Sequence, residues 1–370
     1  LTNDGTLDLS TSANTSGGRL TFTGAASNTF SGTGLTTDLR TLTINKGTSQ
    51  ANILEITTPF SVQGTVVDGA PMAFLTITNG TLKISGAFSL ASRTFASFSV
   101  PANGGFWLNN PNYTVSAVAG NGTVNGLLRL SQGTLNVGTA ANNSLAFGNN
   151  AVVTVEGGAI NVAGRFGVNG ALNNLTYTHT GGVITVCTVS QNSTTLASFD
   201  LGQGLGPDVV MSGGSVIIRN NNTGVPPRDY RNQQGSTALG ITNTLVQFGD
   251  ALSGVAKTFN AEGLLPNVVV SNASAGHTVL FRPPTAFANS ARDVTVDAGC
   301  TFNIGNDIYL QRGSSFTNNG TLTATGPWSR FDWFPAGGSG TYQGAGTSTG
   351  VLTSWETQMA NVTMSQGSQL

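Results

Sequence analysis

What most restricts how this chain can fold is a short phrase that keeps returning: a polar residue, a glycine, then Thr and an aliphatic residue. It occurs as Asp4-Gly5-Thr6-Leu7, Asn79-Gly80-Thr81-Leu82, Asn121-Gly122-Thr123-Val124, Gln132-Gly133-Thr134-Leu135 and Asn319-Gly320-Thr321-Leu322. Glycine after Asn or Asp supplies the positive φ of a tight corner, and Thr-Leu begins a β-favouring run. A second phrase is an alternating strand that ends in another polar corner. Examples are Leu42-Thr43-Ile44-Asn45, Leu75-Thr76-Ile77-Thr78, Val268-Val269-Val270-Ser271-Asn272, Val294-Thr295-Val296-Asp297 and Val362-Thr363-Met364-Ser365. Its period of two buries one face and leaves the other rich in hydroxyls. A third set places a glycine pair at the corner: Gly157-Gly158, Gly181-Gly182 and Gly213-Gly214, at intervals of 24 and 32 residues.

Short strands, Gly/Asn corners and a loose repeat of roughly 20 to 30 residues are what a solenoid of stacked β-coils requires. The expected fold is therefore all-β: a right-handed parallel β-helix (β-solenoid) of short irregular coils, without significant helix, continuous over residues 1–370. An antiparallel sandwich is the alternative, disfavoured because clean two-residue hairpins between similar strands are missing. About 16 coils at ~4.8 Å each would make a rod of roughly 75 Å. Neither end resembles a cap, so the chain is expected to be a piece of a longer protein or to stack on another chain.

Composition agrees with this reading. Charged residues are 8% of the 370 against roughly a quarter in an ordinary globular chain, while Gly is 50 and hydrophobics are 38%. Apolar columns can run inside stacked coils and Asn, Thr and Ser ladders outside, so Lys and Glu are not needed to specify the fold. The three lysines (Lys46, Lys83, Lys257) and four glutamates leave exposed helix faces almost unpopulated. A net charge of -1 offers nothing to nucleic acid or an anionic membrane. No apolar run is long enough to span a bilayer, and Leu1-Thr2-Asn3-Asp4 shows no signal-peptide pattern. Cys187 and Cys300 fit neither a disulfide framework nor a local metal-ligand spacing and are expected to be buried hydrophobes.

Several stretches resemble long cell-surface repeat proteins of the Bacteroidota, exported by the type IX secretion pathway. They are residues 126–138 (Gly126-Leu127-Leu128-Arg129 through Asn136-Val137-Gly138) and Glu156-Gly157-Gly158-Ala159-Ile160-Asn161-Val162-Ala163-Gly164-Arg165, then Thr258-Phe259-Asn260 with Leu265-Pro266-Asn267-Val268-Val269-Val270, and Phe316-Thr317-Asn318-Asn319-Gly320-Thr321-Leu322-Thr323. The resemblance is to a style of repeat. It implies an exported, surface-attached chain used for adhesion, matrix or gliding, and the sorting domain of that pathway is not in these residues.

Chemistry is sparse. Asp293 and Asp297 bracket Val294-Val296 and read as turn residues flanking a strand. The two histidines, His179 and His277, sit at polar corners without a nucleophile motif nearby and read as hydrogen-bonding corner residues. Gly202-Gln203-Gly204-Leu205-Gly206 leads into Pro207 and not into a helix, so it is no phosphate loop. Calcium nonapeptides and EF-hand spacing are missing. No catalytic residue, metal site or cofactor is expected.

Binding candidates are clearer. Trp328-Ser329-Arg330-Phe331-Asp332-Trp333-Phe334 is the densest aromatic cluster, with Phe106-Trp107 to Tyr113 a second. Trp328, Arg330 and Trp333 offer rings and a guanidinium to a sugar or a protein, although such rings more commonly fill a core. The stretch 220–237, with Pro226-Pro227, reads as a protruding loop whose prolines and charges exclude a central strand; Arg228, Asp229 and Tyr230 are its contact candidates.

The expected function is a non-enzymatic extracellular structural or adhesive segment of a cell-surface or secreted filament-forming protein. Its partners would be adjoining segments of the same chain, copies of itself, or surface polysaccharide. A carbohydrate-binding module on the same scaffold is the alternative. A polysaccharide lyase or hydrolase ranks below both, and three carboxylates converging in a groove would revive it.

Overall fold

The computed structural model describes residues 1–10, 17–62, 73–92, 94–170, 174–202, 209–233, 240–282, 289–305, 308–311, 314–324, 331–334, 340–350 and 362–364. Every named element within them is a β-strand, and every strand-to-strand pairing is parallel. The chain is a β-solenoid, as its corner phrases and alternating strands require.

From Leu75 onward each coil passes over three faces. Face A is an 11-stranded parallel sheet that runs from Ser99–Val100 through Gly122–Val124, Leu145–Phe147, Phe166–Val168, Phe199–Asp200, Tyr230–Asn232 and Thr258–Gly263 to Thr347–Gly350. Faces B and C are the two halves of long bent strands such as Gly104–Val115, Leu127–Val137, Ala151–Val162 and Leu175–Val186. Leu128 lies beside Val153 on face B, and Leu135 beside Ile160 on face C. Alternate residues of these strands point inward and are almost fully buried, which is the sequence period of two expressed as a core.

The corner between faces B and C is the glycine-pair corner. Gly157-Gly158, Gly181-Gly182 and Gly213-Gly214 stack there, with Glu156 opposite Gly181 and Thr180 opposite Gly213. A Cβ on Gly181 would sit 2.2 Å from the Glu156 carbonyl oxygen, and Gly182 has φ +76°. Coils can approach at strand spacing only if the corner carries no side chain.

Successive coils repeat at 22 to 32 residues: Phe106 pairs with Leu128, Val153 with Tyr177, and Tyr177 with Val209. The expected 16 coils are too many. The Asn-Gly-Thr-Leu phrase marks different corners, opening a face A strand at Thr321 and bending a long strand between faces at Asn79-Gly80. Such phrases therefore do not count coils. Eleven face A strands at ~4.8 Å span roughly 50 Å.

Inside, aromatic rings stack from coil to coil. Phe147, Phe166, Phe199 and Tyr230 occupy one face A register, with centroids 4.7, 5.4 and 5.6 Å apart and the last two pairs nearly coplanar in orientation. Cys187 and Cys300 are free and buried, as expected. Asp293 and Asp297 flank the strand Val294–Val296 and accept hydrogen bonds from the backbone of Ser315 and Asn272.

The stretch 220–237 departs from expectation. Asp229 is fully buried, and Tyr230–Asn232 is a strand of face A paired on both sides, to Phe199–Asp200 and to Thr258–Gly263. Pro226-Pro227 lies ahead of that strand and so removes no ladder hydrogen bond from it, and its charges are paired within the body. Residues 234–237 lie outside the described residues.

Candidate functional site: a covered charge cluster on face A

On the outer side of face A one register row reads Ala146, Gly167, Asp200, Arg231, Glu262. Outward residues of a solenoid are normally wet, yet Asp200 is 0%, Arg231 1% and Glu262 4% exposed. The cover comes from two insertions between faces C and A, residues 188–198 and 219–229, which belong to the longest coils. They are joined to each other by a parallel bridge between Gln191 and Asn222. Asn222 Nδ2 donates to the carbonyls of Ser193 (2.8 Å) and Arg228 (3.0 Å), so the second insertion lies along the first.

Arg231 grips Asp200 in two bonds, Nε to Oδ1 at 2.9 Å and a terminal nitrogen to Oδ2 at 2.6 Å. The same carboxylate accepts from the backbone N–H groups of Ala197 and Gly202, both at 2.9 Å. Four acceptor directions are thus filled, which is what a buried carboxylate needs. Arg228 Nε lies 3.1 Å from Glu262 Oε1, and one terminal nitrogen each of Arg228 and Arg231 is 3.3 Å from the Thr195 carbonyl. Arg282 donates to Asn260 Oδ1 at 2.7 Å, and Arg165 to the Val168 carbonyl at 2.6 Å. Burial raises the Glu262 carboxyl above its ordinary range, against the pull of Arg228 and Arg231.

Asp229 fastens the second insertion to the next coil. Its Oδ1 accepts from the Asn222 N–H and its Oδ2 from the Asn260 N–H at 2.7 Å. Burial pushes its carboxyl up to about 7, against the hydrogen bonds from Asn222 and Asn260 and the charge of Arg282. Tyr230 turns inward, stacks on Phe199 and donates from its hydroxyl to the Leu264 carbonyl at 2.8 Å. Of the three contact candidates in this stretch, only Arg228 has appreciable exposure, its side chain being 24% accessible. Three carboxylates and four guanidiniums do meet here, but they meet under a cover and bind each other and the backbone. Trp328 and Arg330 lie outside the described residues. Trp333 is placed by its backbone in the strand Phe331–Phe334, opposite Leu310.

Sequence reasoning passed over this cluster although a signal existed: Asp200, Arg231 and Glu262 are spaced by 31 and 31 residues in a chain with few charges. A second row on face B escaped in the same way. Glu55, Lys83, Trp107 and Arg129 are consecutive register partners. Lys83 Nζ lies 4.3 Å and Arg129 Cζ 4.0 Å from the Trp107 ring centre, so two cations sandwich the indole. Glu55 closes one end through Lys83 (2.9 Å) and Glu156 the other through Arg129 (2.7 Å). Both indole faces are occupied, which leaves none for stacking on a sugar ring.

The histidines are hydrogen-bonding residues buried at corners. His179 Nδ1 lies 3.2 Å from the Tyr177 hydroxyl beneath the glycine corner, and burial pushes the ring down to about 4. His277 Nδ1 accepts from the Lys257 N–H at 3.1 Å, which puts the ring proton on Nε2, 3.5 Å from Ser274 Oγ. In that tautomer the imidazole cannot take a proton from the serine. Among the described residues no three His, Cys, Asp or Glu side chains stand close enough to share a metal ion, and no helix is long and apolar enough to cross a membrane. Searches against family models, curated proteins and solved structures find no match for this chain.

Proposed function

We propose that this chain is a non-enzymatic structural or adhesive segment of a long extracellular repeat protein, attached to a cell surface or built into a secreted fibre. It acts by stiffness and by surface contacts, and its partners are adjoining segments of the same chain or further copies of it. The observation that carries the reading is that its scarce charges are spent on holding the rod together: Asp200, Arg231, Glu262 and Arg228 tie insertions to coils, and Glu55, Lys83, Trp107, Arg129 and Glu156 tie coil to coil. Parallel ladders add resistance to pulling because each coil is bonded to both neighbours. The resemblance to exported Bacteroidota repeat proteins supports the location, and the near-neutral net charge lets copies approach without long-range repulsion.

Pulling the chain end to end in an optical trap tests the mechanical part. Stepwise rupture, with extensions of one or a few coils per step, is the expected record; a single low-force collapse would overturn it. Antibody labelling of intact source cells tests the location, and signal only after lysis would refute it.

A further inference from the structure

The outer side of face A changes character along the axis. Past the covered charges it becomes a row of threonines: Thr258, Thr278, Thr301, Thr321 and Thr347 are consecutive register partners on five successive coils. Thr258 and Thr347 are exposed and the three between them half-exposed. Two residues further along each strand runs a second uncharged row, Asn260, Leu280, Asn303, Thr323 and Thr349. The last three coils therefore read Thr-x-Asn, Thr-x-Thr and Thr-x-Thr. No bulge interrupts these pairings, and the inward neighbours Phe259, Val279, Phe302 and Leu322 are all buried, which fixes the sheet from behind. Within the second row Thr323 Oγ1 has no hydrogen-bond partner in the protein.

β-Propensity alone does not account for the row, since Val, Ile or Tyr serves an outward strand position as well as Thr does. What Thr adds is a hydroxyl on a side chain whose χ1 is stiff, so the oxygens repeat with the backbone. Along the axis that repeat is ~4.8 Å, and between the two rows it is roughly 6.7 Å. Hexagonal ice presents oxygen rows at closely similar spacings in two directions. Charged groups would impose their own hydration on such a surface, and neither row contains one.

We infer that this part of face A binds ice, the threonine hydroxyls taking up lattice oxygen positions while the threonine methyls keep intervening water from reorienting. The inference goes beyond the mechanical role and stands apart from it: a rod of the same stiffness without the row would serve that role equally.

The test is ice-crystal morphology, thermal hysteresis and inhibition of recrystallisation with the purified chain. Faceted crystals and slowed recrystallisation are expected. Thr301→Lys should abolish both, and so should the double variant Thr301→Ala/Thr321→Ala, which adds no bulk that could disturb the strand. Thr154→Lys, on the outside of face B, should leave them intact. Circular dichroism and the unfolding midpoint establish that each variant is folded. Round, unshaped crystals with the parent chain would overturn the inference, as would full activity in the folded double variant or equal loss in Thr154→Lys. Adsorption to crystalline cellulose or chitin without any effect on ice would overturn it too, and would reassign the row to a polysaccharide surface.

Discussion

Arg231 holds both carboxylate oxygens of Asp200 although the two residues are separated by a whole coil and neither side chain is more than 2% exposed. Removing one partner leaves an uncompensated buried charge, which costs about 3–5 kcal/mol, whereas replacing both by apolar residues of similar volume is often close to neutral. Arg231→Met is therefore expected to lower stability by that amount. Asp200→Leu added to Arg231→Met should recover most of it. Denaturant midpoints of the two single variants and the double variant check this, and additive losses would contradict the coupling.

Asp229 gives the opposite pH dependence to the usual carboxylate. Its folded value of about 7 lies above the model value of 3.8, so between those limits the folded chain holds a proton that the unfolded chain has released. Stability from this group is full below about pH 4 and is lost as pH rises towards 7, by up to about 4 kcal/mol before relaxation. Asp229→Asn should flatten that slope, while losing an acceptor for one of the two N–H donors and so lowering stability at pH 4. Thermal midpoints from pH 4 to 8 decide it. An unchanged slope in the variant would assign the pH dependence elsewhere.

His179 works against this trend from the acid side. Burial holds its ring near 4, below the ordinary 6.5, so the unfolded chain takes up a proton first as pH falls. Stability should therefore decline from pH 6.5 to 4 in the parent and decline less in His179→Gln. Titrating the ring by NMR gives an independent reading, and a value at or above 6.5 would contradict the burial argument.

How much of this was legible in the sequence depends on the range of the physics involved. The strands and corners are local: Leu42-Thr43-Ile44-Asn45 and Gly157-Gly158 carry their own alternation and their own φ requirement, so the β-solenoid could be read directly. Coil number could not, because Asn79-Gly80 and Asn319-Gly320 look alike while bending the chain at different corners. Burial of Asp229 was hidden for a related reason. A charge beside Pro226-Pro227 reads as surface until the register brings Asn222 and Asn260 to it, and that register depends on two insertions whose path is not a local property. Trp107 was noticed as an aromatic, but the cations on its two faces come from residues 24 positions before and 22 after it.

The glycine corner makes a steric prediction. An added Cβ at Gly181 meets the Glu156 carbonyl oxygen at 2.2 Å, whereas one at Gly5 meets nothing within 4 Å. Backbone cannot yield there without parting the coils, so Gly181→Ala should destabilise by several kcal/mol, on the scale of about 3 kcal/mol or more that marks specific disruptive mechanisms, while Gly5→Ala stays within about 0.5 kcal/mol. Equilibrium unfolding of both variants is the measurement, and equal effects would show that the corner can open.

Trp107 makes the last prediction because its sandwich combines two kinds of attraction that salt separates. The cation–π contacts with Lys83 and Arg129 contribute about 0.5–1 kcal/mol each at a partly exposed site. The ion pairs to Glu55 and Glu156 are half-exposed and weaken as salt rises, since the Debye length shrinks to about 3 Å at 1 M. Lys83 also holds the Glu55 carboxyl below its ordinary range, so the carboxylate persists at mildly acid pH. Trp107→Leu keeps apolar bulk and both ion pairs but removes the ring that the cations share. It should cost about 1–2 kcal/mol, and the cost should persist in 1 M salt because the contacts to the ring are short. Glu156→Gln should cost less than about 1 kcal/mol at low salt and almost nothing at 1 M. Denaturant titrations of the three proteins at both salt concentrations separate the effects. A Trp107→Leu penalty that disappears with salt would mean that the ring is merely a spacer between charges.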